Sequence, residues 1–265
     1  MQLKSYIKFL LKSQNQHGLH SPFVYDLVTN CFYDKRKYKE YKLLHEYRKD
    51  LLKNNKKIRV TDFGAGSRVF TSNERTISAI AKNVGIPKKR ARFLFRLSNY
   101  LNYKNILELG TSLGIGTAAL SANKKSKVLS IEGCPQTADV ARNQLEKFGF
   151  NNIDLKVGEF EEILSKFVVF SNKTTNNEQQ IQYDLIYFDG HHTKEATLKY
   201  FKQLLPTAHN DTVFIFDDIH WSSGMETAWK EIKAHPEVRV TIDTFFLGLV
   251  FFRREQAKQH FTIRL

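Results

Sequence analysis

The ten residues Glu108-Leu-Gly-Thr-Ser-Leu-Gly-Ile-Gly-Thr117 constrain the fold of this chain more than any other stretch. They continue the apolar run Asn105-Ile-Leu-Glu-Leu109 and lead into helical spacing from about Ile115. Glycines at 110, 114 and 116 let the backbone turn sharply and approach a ligand where a Cβ would collide. A strand, a tight glycine turn and a helix in that order open a βαβ unit. The spacing is Gly-x-x-x-Gly-x-Gly, not the Gly-x-Gly-x-x-Gly that cradles a pyrophosphate. Glu108, ahead of the turn, suits a cationic guest better than a diphosphate.

The pattern around the turn extends this into a fold class. After residue 100, short β-branched and aromatic runs alternate with amphipathic stretches of helix length, which predicts a parallel sheet built from βαβ units. Strands are expected at Asn105–Leu109, Lys127–Glu132, Ile153–Val157, Tyr183–Asp189, Thr212–Asp217, Val238–Phe245 and Gly248–Arg253, with helices between the first six. The last two leave no room for a crossover helix and must form an antiparallel hairpin. The expectation is an α/β fold: a doubly wound, seven-stranded, mostly parallel sheet with an antiparallel last strand at its edge, preceded by a helical N-terminal extension. In that extension helices are expected near 2–13, 20–32, 36–54, 72–83 and 88–101. Pro22 behind Ser21 reads as a capped first turn, and Gly85-Ile-Pro87 as a break. The polar tract 170–182 is read as a solvated loop.

Charge divides the chain at the same place. Residues 1–100 hold 22 of the 41 Lys and Arg but only 7 of the 27 Asp and Glu, so the net charge of +14 resides in that third. Such a region attracts nucleic acid, anionic lipid or an anionic small molecule, or is a set of solvated helix faces. Residues 1–100 are therefore read as a mainly helical basic region that covers substrate or builds a homodimer, and residues 101–265 as the main domain. Gln2 to Lys12 is a basic amphipathic segment, with Leu3, Ile7, Leu10 and Leu11 on one face, which either packs or lies on a membrane surface. No apolar run reaches the ~20 residues of a membrane span and no cleavable leader is evident, which makes the cytoplasm the expected compartment. Cys31 and Cys134 lack metal-ligand spacing and read as buried thiols.

Two further strand ends add to the glycine turn. Glu132 closes the second strand, where a carboxylate accepts both hydroxyl hydrogens of a ribose. Gly158-Glu159-Phe160 follows the third strand with a close backbone approach, an acceptor and an aromatic flank. On these residues the chain resembles the class I S-adenosylmethionine-dependent methyltransferases, in particular the catechol O-methyltransferase-like and natural-product sugar O-methyltransferase groups, over about residues 100–254. The resemblance implies that Glu108, Gly110, Thr111, Ser112 and Gly114 line the methionine and ribose part of the cofactor, Glu132 the ribose, and Gly158, Glu159 and Phe160 the adenine. A second glycine pair, Asp62-Phe-Gly64-Ala-Gly66, matches part of such a loop, but no helix start or acid-ended strand follows it. It reads as a loop over the active site, with Ser67 and Arg68 facing substrate.

The fourth and fifth strands also end in acids: Asp189-Gly-His191-His192 and Asp217-Asp218-Ile-His220-Trp221. In a doubly wound sheet these ends open on the cofactor's crevice. The resemblance makes Asp189, Asp217 and Asp218 ligands of a divalent metal, Mg2+ by the hardness of oxygen donors, and adds Asp189 to the cofactor contacts. His191 stands where the sugar-modifying relatives have an Asp as base, and His192 where the catechol group has a lysine. Imidazole titrates near neutral pH, so these two, with His220 nearby, are the candidate bases. The activity implied is metal-assisted O-methylation of a small molecule. The alternatives are an RNA methyltransferase using the basic region and an inactive S-adenosylmethionine-binding protein.

Overall fold

The computed structural model describes residues 2–61, 72–167 and 181–265. The loop 62–68 and nearly all of the polar tract 170–182 lie outside them. Along the chain the elements are α1 (Gln2–Lys12), α2 (Pro22–Leu27, continued by a π turn to Phe32), α3 (Glu40–Lys53), β1 (Lys57–Arg59), β2 (Glu74–Thr76), α4 (Ile77–Asn83), α5 (Lys88–Tyr100), β3 (Asn105–Leu109), α6 (Ile115–Ser121), β4 (Lys127–Glu132), α7 (Pro135–Lys147), β5 (Ile153–Val157), α8 (Phe160–Phe167), β6 (Tyr183–Phe188), α9 (Lys194–Leu204), β7 (Ala208–Asp217), α10 (Ser223–Ala234), β8 (Val240–Asp243), β9 (Leu247–Phe251) and β10 (Gln259–Thr262). Two compact units result, Met1–Asp34 with Gln182–Leu265, and Lys35–Ile181.

The unit Lys35–Ile181 is organised on β3, β4 and β5, which are parallel, with Glu108 opposite Ser130 and Ile131 opposite Lys156. Every residue of α6 is buried. Its Gly116, Ala118, Ala119 and Ser121 are small enough for close packing. Phe93, Leu94, Phe95 and Leu97 of α5 and Leu44, Tyr47 and Leu51 of α3 complete this core. Each such side chain contributes about 1.5–3 kcal/mol by leaving water. The helix expected over 72–83 is shorter. Glu74–Thr76 pair with Lys57–Arg59 as an antiparallel ribbon, and α4 begins only where the Thr76 hydroxyl accepts the Ala79 amide at 3.2 Å. A β-branched cap residue with extended backbone has overridden the helical spacing before it.

In the other unit, β6 and β7 are parallel, and β9 runs antiparallel to both β7 and β8. Phe188 stacks on Phe216 at 4.3 Å, and Phe201 meets Phe214 and Phe216 edge-on. Pro22 opens α2 behind Ser21, whose hydroxyl accepts the Val24 amide. Strand order within this unit is β10-β8-β9-β7-β6, and within the other β3-β4-β5. The doubly wound, mostly parallel sheet of the class I methyltransferase fold is thus present, with two differences from expectation. The antiparallel strand β9 lies inside the sheet rather than at its edge. An eighth strand, β10, pairs parallel with β8; it is short and polar, Gln-His-Phe-Thr, and carries no apolar alternation to betray it.

The hairpin that places β9 is set by side chains. Asp243 Oδ1 accepts the Phe245 amide at 2.8 Å, Thr244 bonds both the amide and the carbonyl of Leu247, and Phe245 takes φ 75°. Within β9, Gly248 is required by a close approach, because a Cβ there would lie 2.8 Å from the ring of Trp229. Gly248→Ala is expected to destabilise the protein by about 1–3 kcal/mol through overpacking. A urea midpoint equal to that of the parent would contradict this.

Candidate active site

In the unit Lys35–Ile181, Glu108 is fully buried. Its Oε2 accepts the hydroxyls of Thr117 at 2.5 Å and Ser130 at 2.6 Å. Ser130 in turn lies 2.5 Å from the Thr111 hydroxyl. Since the Ser130 proton is committed to the carboxylate, Thr111 is the donor in that contact, giving the chain Thr111 to Ser130 to Glu108. Oε1 has no partner among the described residues. Burial outweighs the two hydroxyl donors and pushes the carboxyl up to about 7. Glu108 and Thr111 are therefore placed behind the glycine turn, where they join β3, β4 and α6.

The turn itself carries left-handed backbone at Gly110, Ser112 and Gly114, with φ 106°, 49° and 75°. Gly110 donates to the Ile131 carbonyl at 2.9 Å and Gly114 to that of Thr111 at 2.8 Å. Tyr47 holds the turn from α3. Its hydroxyl donates to the Leu113 carbonyl at 2.8 Å, and a Cβ on Gly114 would sit 2.6 Å from that oxygen. Burial, then the nearby Glu108, raises the phenol well above its ordinary pKa, so it stays a donor. Nothing in the sequence singles out Tyr47 from other aromatic positions on an amphipathic helix.

Glu132 and Ser112 are brought together as expected of neighbouring strand ends. Glu132 accepts the Ser112 amide at 2.8 Å and the Cys134 amide at 2.9 Å, one on each oxygen. Burial raises its pKa against the pull of these amides. Gly158, at φ 151°, donates to the Glu132 carbonyl at 3.0 Å. Beyond it Glu159 is exposed, while Phe160 is buried as the first residue of α8. The chain thus gathers Gly110, Ser112, Gly114, Glu132 and Gly158 at the carboxyl ends of β3, β4 and β5.

The raised Glu108 carboxyl has a measurable consequence. It keeps its proton to a higher pH in the folded chain than in the unfolded chain, where its ordinary value is 4.5. It therefore favours folding below that value, and the advantage is lost as pH climbs through about 7. Relative to Glu108→Gln, whose amide does not titrate, the parent is expected to lose roughly 1–3 kcal/mol of stability across this window. Parallel denaturation curves for the two proteins from acid to mildly alkaline pH would contradict it.

In the unit formed by Met1–Asp34 and Gln182–Leu265, the ends of β6 and β7 carry the remaining candidates. His192 Nε2 lies 3.7 Å from Asp189 Oδ1, and the His191 ring is 5.7 Å from that of Tyr200. His191, His192 and Asp218 all have positive φ, at 63°, 40° and 53°. Left-handed non-glycine residues are strained, and their concentration at strand ends marks a site where geometry outranks stability. Among the described residues, no three His, Cys, Asp or Glu side chains form a group able to hold a metal ion. The reading of Asp189, Asp217 and Asp218 as metal ligands gains no support from this arrangement. Asp217 is the last residue of β7 and buried, whereas Asp218 lies past the strand end on left-handed backbone.

His220 has a different role from that of a base. Its Nδ1 lies 3.1 Å from Glu226 and its Nε2 2.9 Å from Asp243, and the ring stacks on Phe245. Burial alone would lower its pKa, but Asp243 and then Glu226 outweigh burial and raise it above the ordinary 6.5. Both nitrogens are engaged, so His220 pins the hairpin end to α10. Met225 and Trp229 are core residues, while Trp221 is half-buried.

Comparison with known proteins accords with this geometry. Residues 107–219 match the family model described as a methyltransferase domain. A catechol O-methyltransferase of Niastella koreensis is 25% identical over 139 residues, covering 51% of this chain and 58% of that protein. The chain thus spans less than two thirds of the length of this relative. Among solved structures, an O-methyltransferase from Bacillus cereus in complex with SAH superposes at TM-score 0.52 with 18% identity, over 84% of this chain and 95% of that one. An SAH-bound Podospora anserina methyltransferase does so at 0.57 with 13% identity, over 89% and 97%. At these identities the structures establish the fold.

Proposed function

We propose, from the match of residues 107–219 to a methyltransferase-domain model, that the chain methylates an oxygen of a small acceptor, with S-adenosylmethionine as the donor. The observation that carries this reading is the turn from Gly110 to Gly114, fixed to Glu132 by the Ser112 amide. The residues there fit the cofactor: a turn with left-handed backbone at Gly110, a strand-end carboxylate, and an orphaned carboxylate oxygen at Glu108. When bound, S-adenosylmethionine supplies a methyl group on a positively charged sulfur.

Each residue then has a physical task. The Glu132 carboxylate, fixed by backbone amides that include those of Ser112 and Cys134, is the acceptor offered to a ribose hydroxyl. Gly158 admits a close approach beside Glu132, Glu159 offers an acceptor for an amino group, and Phe160 backs the adenine. Glu108, Thr111 and Ser130 hold the shape of the turn. Asp189 adds a cofactor contact, its carboxylate lying 3.7 Å from His192. His191 takes the proton from the acceptor hydroxyl on a ring nitrogen, and His192 is the alternative base. Acceptor selection falls to residues 1–100, where the basic charge favours an anionic or sugar-like molecule.

Calorimetry with S-adenosylhomocysteine tests the cofactor assignment. Glu132→Ala is expected to weaken binding about 10- to 100-fold, the loss of one to two hydrogen bonds to a carboxylate, and absence of binding by the parent would overturn the proposal. For the chemistry, His191→Ala is expected to lower kcat about 100- to 10,000-fold in a labelled-methyl assay over catechol and sugar acceptors, with cofactor affinity unchanged. Undiminished turnover would remove His191 from the role.

A further inference from the structure

The helix α1 is seated by one face only. Ser5 donates to Glu226 at 2.5 Å, Phe9 is buried with its ring 5.5 Å from that of Phe245, and Tyr6 meets the same ring edge-on at 4.8 Å. At 100° per residue, Leu3, Ile7 and Leu11 fall on the side opposite Phe9. They are 72%, 49% and 82% exposed. Single exposed leucines are ordinary, but three large aliphatic side chains in one stripe on a seated helix form a surface that water does not favour. Tyr6 and Phe246, both exposed and both in contact with Phe245, extend it with aromatic rings.

The charges beside the stripe select what covers it. Lys4, Lys8 and Lys12 form the next row round the helix, all exposed, and the segment Gln2–Lys12 contains no Asp or Glu. A second copy laid on this face would bring lysine against lysine with no acid from α1 between them. An anionic bilayer surface satisfies both rows: the aliphatic stripe enters the boundary between headgroups and acyl chains, and the ammonium groups remain among the phosphates. Interfacial aromatics such as Tyr6 and Phe246 occupy the same depth. We propose that α1 docks the protein on the surface of an anionic lipid bilayer, lying in the plane of the interface. Nothing in this rests on the proposed activity. The device is peripheral, since among the described residues no helix is long and apolar enough to cross a membrane.

Vesicle flotation of the full-length protein tests the proposal. At about 0.1 M NaCl the protein is expected to float with vesicles of phosphatidylglycerol and phosphatidylcholine, to stay behind with phosphatidylcholine alone, and to be released at about 1 M NaCl, where charges are screened within ~3 Å. Two triple variants separate the rows: Leu3→Gln, Ile7→Gln, Leu11→Gln, and Lys4→Gln, Lys8→Gln, Lys12→Gln. Each is expected to lower partitioning about 10-fold or more, with circular dichroism, thermal midpoint and S-adenosylhomocysteine binding as in the parent. Failure of the parent to float with anionic vesicles overturns the proposal. So does a dimer mass by light scattering that the leucine-row variant reduces to a monomer, because the stripe is then covered by a second copy.

Discussion

A carboxylate without access to water is the constraint on which the unit Lys35–Ile181 depends. Glu108 sits in β3, its two hydroxyl donors sit on β4 and α6, and a third hydroxyl, from the glycine turn, stands behind one of them. Three consecutive elements of the chain are tied to one buried group. Because an isolated charge in such a place costs far more than a neutral carboxyl, the group keeps its proton to near neutral pH. The glycine turn is held on one side by this network and on the other by Tyr47. What is left facing outward is backbone and the half-buried Glu132, a combination suited to a nucleoside.

The other unit uses charge in the opposite way. Around His220, two carboxylates raise the pKa of an imidazole against its burial, and the same Glu226 receives the Ser5 hydroxyl of α1. Burial is partial here, and the groups act through pairing. The contrast explains why residues with similar side chains at comparable strand ends have different work: His191 and His192 lie on strained backbone beside Asp189, while His220 is locked between two acids.

Much of this was legible from the sequence, and for identifiable reasons. The strands β3 to β9 follow from apolar runs of strand length, and the helices between them from their spacing. The glycine turn follows from residues whose backbone freedom leaves a sequence trace. What escaped notice depends on partners distant in sequence. Tyr47 is 66 residues from the carbonyl it holds. The pairing of His220 with Asp243 requires the hairpin to have formed first. Asp189, Asp217 and Asp218 were legible as acids at strand ends, but the left-handed backbone that carries Asp218 past the end of β7 was not. The position of β9 inside the sheet was equally hidden, because the tight turn fixes its direction relative to β8 but not the strand on its other side.

That interior position has a consequence for the order in which the unit is built. β8 reaches the rest of the sheet only through β9, which bonds β7 on one side and β8 on the other. A nascent chain ending anywhere before Phe251 holds β7 with an open edge and β8 with nothing to pair against. The apolar strand Val213–Phe216 is then a template for foreign strands. Completion of this unit therefore waits for Leu247–Phe251 to be synthesised, and the edge of β7 stays open until they emerge.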